Sequence, residues 1–212
     1  MKRSAQYGQD REKGVSLLEV LVVVAIALIV SAAAIINVLS SLKLAAADSA
    51  AQLIQQEMRV ARQDAISKRL VYRLTFNAPS GIVLDQLLST TSYVSGVATT
   101  VTTITNVSND SIPGQVSFQI LSGTPQDQDG FCSCAVPPCT CPTQAVDFNA
   151  GTQIYFQPDG AGRDANGKLC NGVVYTAISG DMASQRSVTV WGSTGRITLY
   201  KLFNGPNGYY WK

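Results

Sequence analysis

The feature that most restricts this chain is an apolar run near its beginning. From residue 14 to residue 42 every side chain is Gly, Val, Leu, Ile, Ala, Ser or Asn, with one exception, the carboxylate of Glu19. At about 1.5 Å rise per residue, a helix of this length reaches roughly 43 Å, more than the roughly 30 Å of bilayer hydrocarbon. A lone carboxylate inside such a helix costs on the order of 2.5–3.5 kcal/mol near the bilayer centre. Glu19 therefore reads in one of two ways. It is a functional group neutralised by a partner, or it sits near enough to the membrane interface to be solvated.

Residues 1–14 hold Lys2, Arg3, Arg11 and Lys13 against Asp10 and Glu12. Cations on that side of an apolar run predict a cytoplasmic N-terminus and an exported remainder. No small-residue cleavage site follows a short apolar core, which excludes an ordinary secretory signal. Beyond the leader, twelve basic side chains balance twelve acidic ones. The chain has no histidine. That removes the usual general base, the triads built on it and the common zinc sites, so no enzyme is expected.

The segment Gly14-Val15-Ser16-Leu17-Leu18-Glu19-Val20 resembles the class III signal of type IV prepilins and pseudopilins. The resemblance implies that a prepilin peptidase cuts between Gly14 and Val15, that Val15 is then N-methylated, and that Glu19 is the fifth mature residue. It also implies that Glu19 pairs with the N-terminal amine of a neighbouring subunit in a filament. The implied location is the bacterial inner membrane, as a single-pass protein with a cytoplasmic N-terminus and a periplasmic head. The implied partners are other pilin or pseudopilin subunits, an assembly ATPase and its inner-membrane platform. Two details depart from the commonest pattern. The mature chain starts with Val rather than Phe, and Ile36 stands where major pilins often place a proline. The second departure points to a minor subunit.

Past residue 42 the helical pattern continues but turns amphipathic. Leu44, Ala47, Ala51, Ile54, Met58, Ala61 and Ala65 recur at three- and four-residue spacing, the seam of a helix packed on something. Leu53, Val60 and Ile66 widen it, while Asp48, Gln52, Glu57, Arg59, Arg62, Gln63 and Asp64 fall mostly on other faces. Arg59, Arg62, Lys68, Arg69 and Arg73 crowd the helix end, where cations complement the dipole.

From Leu70 the period becomes two. Strands are expected over residues 70–76, 82–88, 115–121, 153–156, 173–178, 187–191 and 196–202. Residues 89–110, rich in Thr, Ser and Val, read as exposed β structure or as a mobile insertion. The expected fold is α+β and pilin-like: a long N-terminal helix packed on an antiparallel β-sheet head that covers its seam. The expected organisation is a leader over 1–14, a transmembrane and filament-core helix over 15–42, an amphipathic half over 43–69, and a β-rich head over 70–212.

Three further segments narrow the resemblance. Ala61-Arg62-Gln63-Asp64-Ala65-Ile66, the turn Phe156-Gln157-Pro158-Asp159-Gly160, and Ser193-Thr194-Gly195-Arg196-Ile197-Thr198-Leu199 look like the GspH/FimT class of minor pseudopilins and pilins. That class implies a role in type II secretion or in a type IV pilus. The two glycine turns are equally ordinary hairpin chemistry, since Gly supplies a positive φ.

Cys132, Cys134, Cys139 and Cys141 fall within ten residues, and Cys170 follows. In a cytosolic protein they would suit zinc or an iron–sulfur cluster. In an exported head disulfides are the expectation, between the two Cys-Xaa-Cys pairs or from Cys170 to the cluster, and residues 122–146 form a stapled surface loop. The final residues interleave aromatic and basic side chains: Tyr200-Lys201-Leu202-Phe203 and Tyr209-Tyr210-Trp211-Lys212. Such a segment packs on the head or on a partner, or stacks bases. A nucleic-acid reading, with Arg196 and Lys201 as contacts, is the alternative. The balanced charge and the neutral Thr198 beyond Gly195-Arg196 weigh against it. No cofactor or metal is expected.

Overall fold

The structure, a computed structural model, describes residues 16–94, 97–126, 128–131, 144–149, 151–206 and 208–212, with side chains outside 33–39 and 89–103. One helix, α1 (Leu17–Lys68), precedes the strands. Those are β1 (Val71–Asn77), β2 (Gly81–Val94), β3 (Val97–Ser111), β4 (Val116–Phe118), β5 (Val146–Phe148), β6 (Gln153–Phe156), β7 (Gly162–Arg163), β8 (Gly172–Ile178), β9 (Asp181–Trp191), β10 (Arg196–Gly205) and β11 (Gly208–Trp211). The chain divides into two compact units, residues 1–41 and 42–212. The amphipathic half of the helix thus belongs to the same unit as the strands.

Helix α1 opens where Ser16 accepts the first helical hydrogen bond, from the Val20 amide at 3.1 Å. Ser16 at the cap and Glu19 three residues on form the sequence pattern of a capping box. The helix closes after Lys68, with Arg69 in the left-handed region at φ 55°. That conformation usually falls to glycine, and here the chain adopts it without one.

In the second unit Ala47, Ala51, Ile54, Met58, Ala61 and Ala65 are fully buried, as the spacing predicts; Leu44 at the start of the seam is only partly buried, and Ala50, not expected there, is buried. Two residues of the wider stripe and one outside it need correction. Val60 and Ile66 are exposed, because Val60 sits about 200° round the helix from Met58, and Ile66 about 100° from Ala65. Glu57, expected on an outer face, is buried. It stands three residues past Ile54 and four before Ala61, so the helical period carries it onto the seam.

The head is antiparallel throughout but is not one sheet. The first sheet runs β3-β2-β1-β6-β7; the second runs β11-β10-β9-β8-β4, with β5 also paired to β8. Helix α1 packs on both in one core that joins Ile54 and Met58 to Leu74, Ile82 and Ile154 of the first sheet and to Val174, Val188 and Val190 of the second. Phe76 of β1 fills the joint, edge-on to Phe118 and stacked on Phe148, each with ring centroids 5.6 Å away.

Every residue of β8 is buried, so both faces of the second sheet are covered. The helix covers one. Over the other lie β11 and the residues around 120–131. The Leu121 amide donates to Gln185 Oε1 at 3.1 Å, Thr189 donates to Asp129 at 2.5 Å, and the Trp211 indole donates to the Pro125 carbonyl at 3.2 Å. Of the expected 122–146 surface loop, Pro125 and Asp129 make these contacts and Thr124 is buried, while Ser122, Gly123, Gln126, Gln128 and Gly130 are exposed. Residues 89–94 and 97–110 are β structure: they belong to β2 and β3, paired from Gly81↔Ser111 to Val94↔Val97. The strand expected over 115–121 contracts to β4, and the last residues add the unexpected β11.

Candidate functional site

The helix N-terminus and the head carry different chemistry. Gly14 and Val15 lie outside the described residues. Glu19 is exposed in the first turn of α1, where a carboxylate complements the helix dipole by about 0.3–1 kcal/mol. Around it there is no seam. Consecutive positions Val20, Leu21, Val22, Val23 and Val24 are all exposed, and Leu17 and Ile29 leave 82% and 71% of their surface open. A helix that is apolar all round belongs inside lipid or inside an assembly. Among the described residues no helix is long and apolar enough to cross a membrane; the side chains of 33–39, inside the apolar run, fall outside that description.

In the head, the three segments of the looser motif meet at one side chain. Arg62 on α1 donates from Nε to the Gly160 carbonyl at 3.2 Å and from Nη2 to the Thr194 carbonyl at 3.0 Å. Gly195 has φ 61°, and a Cβ there would collide with the Gly160 carbonyl and the Arg62 side chain. The helix dipole alone does not describe Arg62. It clasps the β6–β7 and β9–β10 turns to the spine. Beside it opens a groove of about 680 Å³ lined by Gln52, Gln56, Arg59, Arg62, Gln63 and Arg196 among others, with no carboxylate among the lining residues.

Asp48, on the polar side of the spine, is the other tie. It accepts from Arg186 Nε and from Lys201 Nζ, both at 2.7 Å. Burial pushes its carboxyl up, but the hydrogen bonds and charges of Lys201 and Arg186 outweigh this and hold it below its ordinary value. Arg186, inside β9, keeps only 5% of its side-chain surface exposed. The strand expected over 187–191 left Arg186 outside, so no sequence signal pointed to this clip; β9 begins at Asp181 and takes Arg186 in. Glu57 faces Ser108, whose hydroxyl donates at 3.3 Å. Burial, reinforced by Asp110, pushes the Glu57 carboxyl up despite that hydrogen bond.

Arg196 and Lys201 are not brought together. They stand five residues apart on β10 and so point to opposite faces. Lys201 turns to Asp48 on the helix side. Arg196 lies over the Trp191 ring at 5.2 Å and reaches Asp129 at 3.4 Å. Cys132, Cys134, Cys139 and Cys141 lie outside the described residues. Cys170 is a free, fully buried thiol. Burial, with Asp164 and Asp147 adding, pushes it up to about 12, which leaves it protonated and unreactive at neutral pH.

The apolar helix, its early carboxylate and the β head narrow the meaning of the leader. A family model, the prokaryotic N-terminal methylation motif, matches residues 9–35. The motif is that of type IV pilin-type precursors. It spans the last six residues of the leader, Glu19 and most of the apolar run, including the described stretch 16–32, whose side chains are exposed. Comparison with curated proteins finds no match, and comparison with solved structures finds none. The motif and the α+β architecture are thus two separate findings that agree.

Proposed function

We propose that this chain is a minor pilin-like subunit, an assembly component rather than an enzyme. A prepilin peptidase removes residues 1–14 on the cytoplasmic side of the inner membrane, and Val15 becomes the methylated N-terminus. The apolar half of α1 waits in lipid until the assembly ATPase and its platform lift it into a filament. There Glu19 meets the N-terminal amine of a neighbouring subunit, which compensates the carboxylate. The observation that carries this reading is the methylation motif on a helix that is exposed and apolar all round. The convergence of its three segments on Arg62 favours the GspH/FimT class, in a type II secretion pseudopilus or a type IV pilus. The test is mass spectrometry of the protein from its native host. Mature chain beginning with methylated Val15 is expected, and Gly14→Leu should leave the precursor uncut. A different first residue refutes the reading.

One observation favours a second reading, DNA binding during uptake: the groove beside Arg59, Arg62 and Arg196 has no lining carboxylate. Duplex DNA titrated against the full chain in detergent over a salt series decides it. Phosphate contacts give a log–log slope of about −0.9 each, and Arg59→Ala with Arg196→Ala should flatten it. Lys201→Ala should not, since Asp48 already pairs with that lysine. Binding indifferent to salt, or none, removes this reading.

A further inference from the structure

The first sheet ends in an edge that neither the methylation motif nor the spine accounts for. Strand β1 pairs with β2 only over Gly81 to Leu87, yet β2 continues to Val94 and β3 returns from Val97. Residues 88–94 and 97–103 thus form a two-stranded ribbon beyond β1, and among the described residues neither of its outer edges pairs with a strand. Strand β3 is the terminal strand of the sheet over all 15 of its residues, about 50 Å of backbone.

A bare two-stranded ribbon is marginal in water, and long edges are normally blunted by lysine, proline or an inward charge. The stretch of this edge before Asp110 has none of them. Between Asp85 and Asp110 the sequence has no Asp, Glu, Lys, Arg or Pro, and β3 is built largely from Thr, Val and Ile, residues suited to a pleated strand. Ile104 and Val107 remain 53% and 44% exposed.

We propose that β3 pairs edge to edge, antiparallel, with β3 of a second copy of this chain, joining two sheets across a two-fold axis. The pairing would satisfy a row of backbone donors and acceptors that pair with no strand among the described residues. The absence of charge selects the partner. In an isologous contact each strand meets its own sequence, so a charge near the axis opposes its own kind, which is destabilising. A different partner would impose no such restriction. Asp110 lies at the far end of β3, beyond the bulge that follows Leu84 on the paired strand, and so away from an axis through the uncharged stretch. The inference does not rest on the filament reading.

Hydrogen exchange of the full chain in detergent micelles, at low and high protein concentration, tests it independently of any helix association. Peptides over 97–107 should gain roughly tenfold protection at high concentration. Thr102→Lys with Ile104→Lys should abolish that gain, and so should Thr102→Glu with Ile104→Glu. An equimolar mixture of the two variants should restore it. Wild-type protection that ignores concentration overturns the proposal, whatever the variants do. So does a gain that survives in either variant alone, or a mixture that fails to recover it.

Discussion

The two halves of α1 are continuous in backbone and opposite in what they ask of their surroundings. The N-terminal half carries one carboxylate, Glu19, and the C-terminal half carries three, Asp48, Glu57 and Asp64. In the N-terminal half Glu19 sits among exposed side chains, and none of the described residues covers them. In the C-terminal half a stripe of Ala, Ile and Met is buried by the head's own sheets. There Glu57 meets Ser108 at 3.3 Å, and Asp48 is held by two cations. One half is completed by folding; on the proposed reading the other is completed by assembly. The same helical geometry serves both; only the width of the apolar surface differs.

That comparison breaks most visibly at Asp48. Asp48→Ala leaves the buried Arg186 guanidinium without its carboxylate, and unfolding of the head should become easier by about 2–4 kcal/mol. The estimate stays below the cost for a fully buried pair because Asp48 keeps 29% of its side-chain surface. Adding Arg186→Met should recover most of the loss in urea unfolding. The pH dependence has a definite sign. The Asp48 carboxyl is lowered, so its contribution is present above the ordinary value of 3.8 and is lost as pH falls through the folded value below it. A head whose stability ignores Asp48 would mean that the clip is incidental.

Glu19→Gln probes the other half. Head stability should stay within about 0.5 kcal/mol of wild type, as for a surface change. Membrane insertion and cleavage after Gly14 should be normal, while incorporation into filaments falls several-fold in sheared-filament immunoblots. Unimpaired incorporation would remove Glu19 from assembly. It would leave the capping pattern with Ser16 as the reason for a carboxylate at that position.

The smallest effect belongs to Glu57→Gln, which keeps an acceptor for Ser108 and removes a charge from beside Asp110. The Glu57 carboxyl is raised; its favourable contribution is therefore complete below the ordinary value of 4.5 and is lost as pH rises through the folded value. The Gln variant should gain up to about 1 kcal/mol at neutral pH, a rise of about 2–4 °C in Tm for a domain of this size, and nothing below the ordinary value. Thermal melts at the two pH values measure it. A variant that is less stable at neutral pH would show that the charged form of Glu57 is the one the fold uses.

Some of this was legible before folding, because it is written in local periods. The apolar run, the Glu19 position, the amphipathic seam from Ala47 to Ala65 and the strand over 153–156 follow from residue spacing along one element. Local order also offered the turn at Gln157-Pro158-Asp159-Gly160, where Gly160 takes φ 81°. The partners across the fold were not legible. Arg62 reaches carbonyls 98 and 132 residues away, and Asp48 meets cations 138 and 153 residues away. Nothing in the neighbourhood of those residues records such distances.

The sequence by itself determined where the helix lies, which half of it is apolar all round, and that a β head follows. Apolar periodicity, turn residues and the methylation motif are properties of contiguous residues, so they survive without a fold. Only the tertiary structure decided that the strands divide into two sheets, that residues around 120–131 cover the second of them, and that Lys201 turns inward while Arg196 stays out. Those outcomes depend on which faces are left to bury once the strands have paired, and strand pairing is settled between residues that the chain keeps far apart.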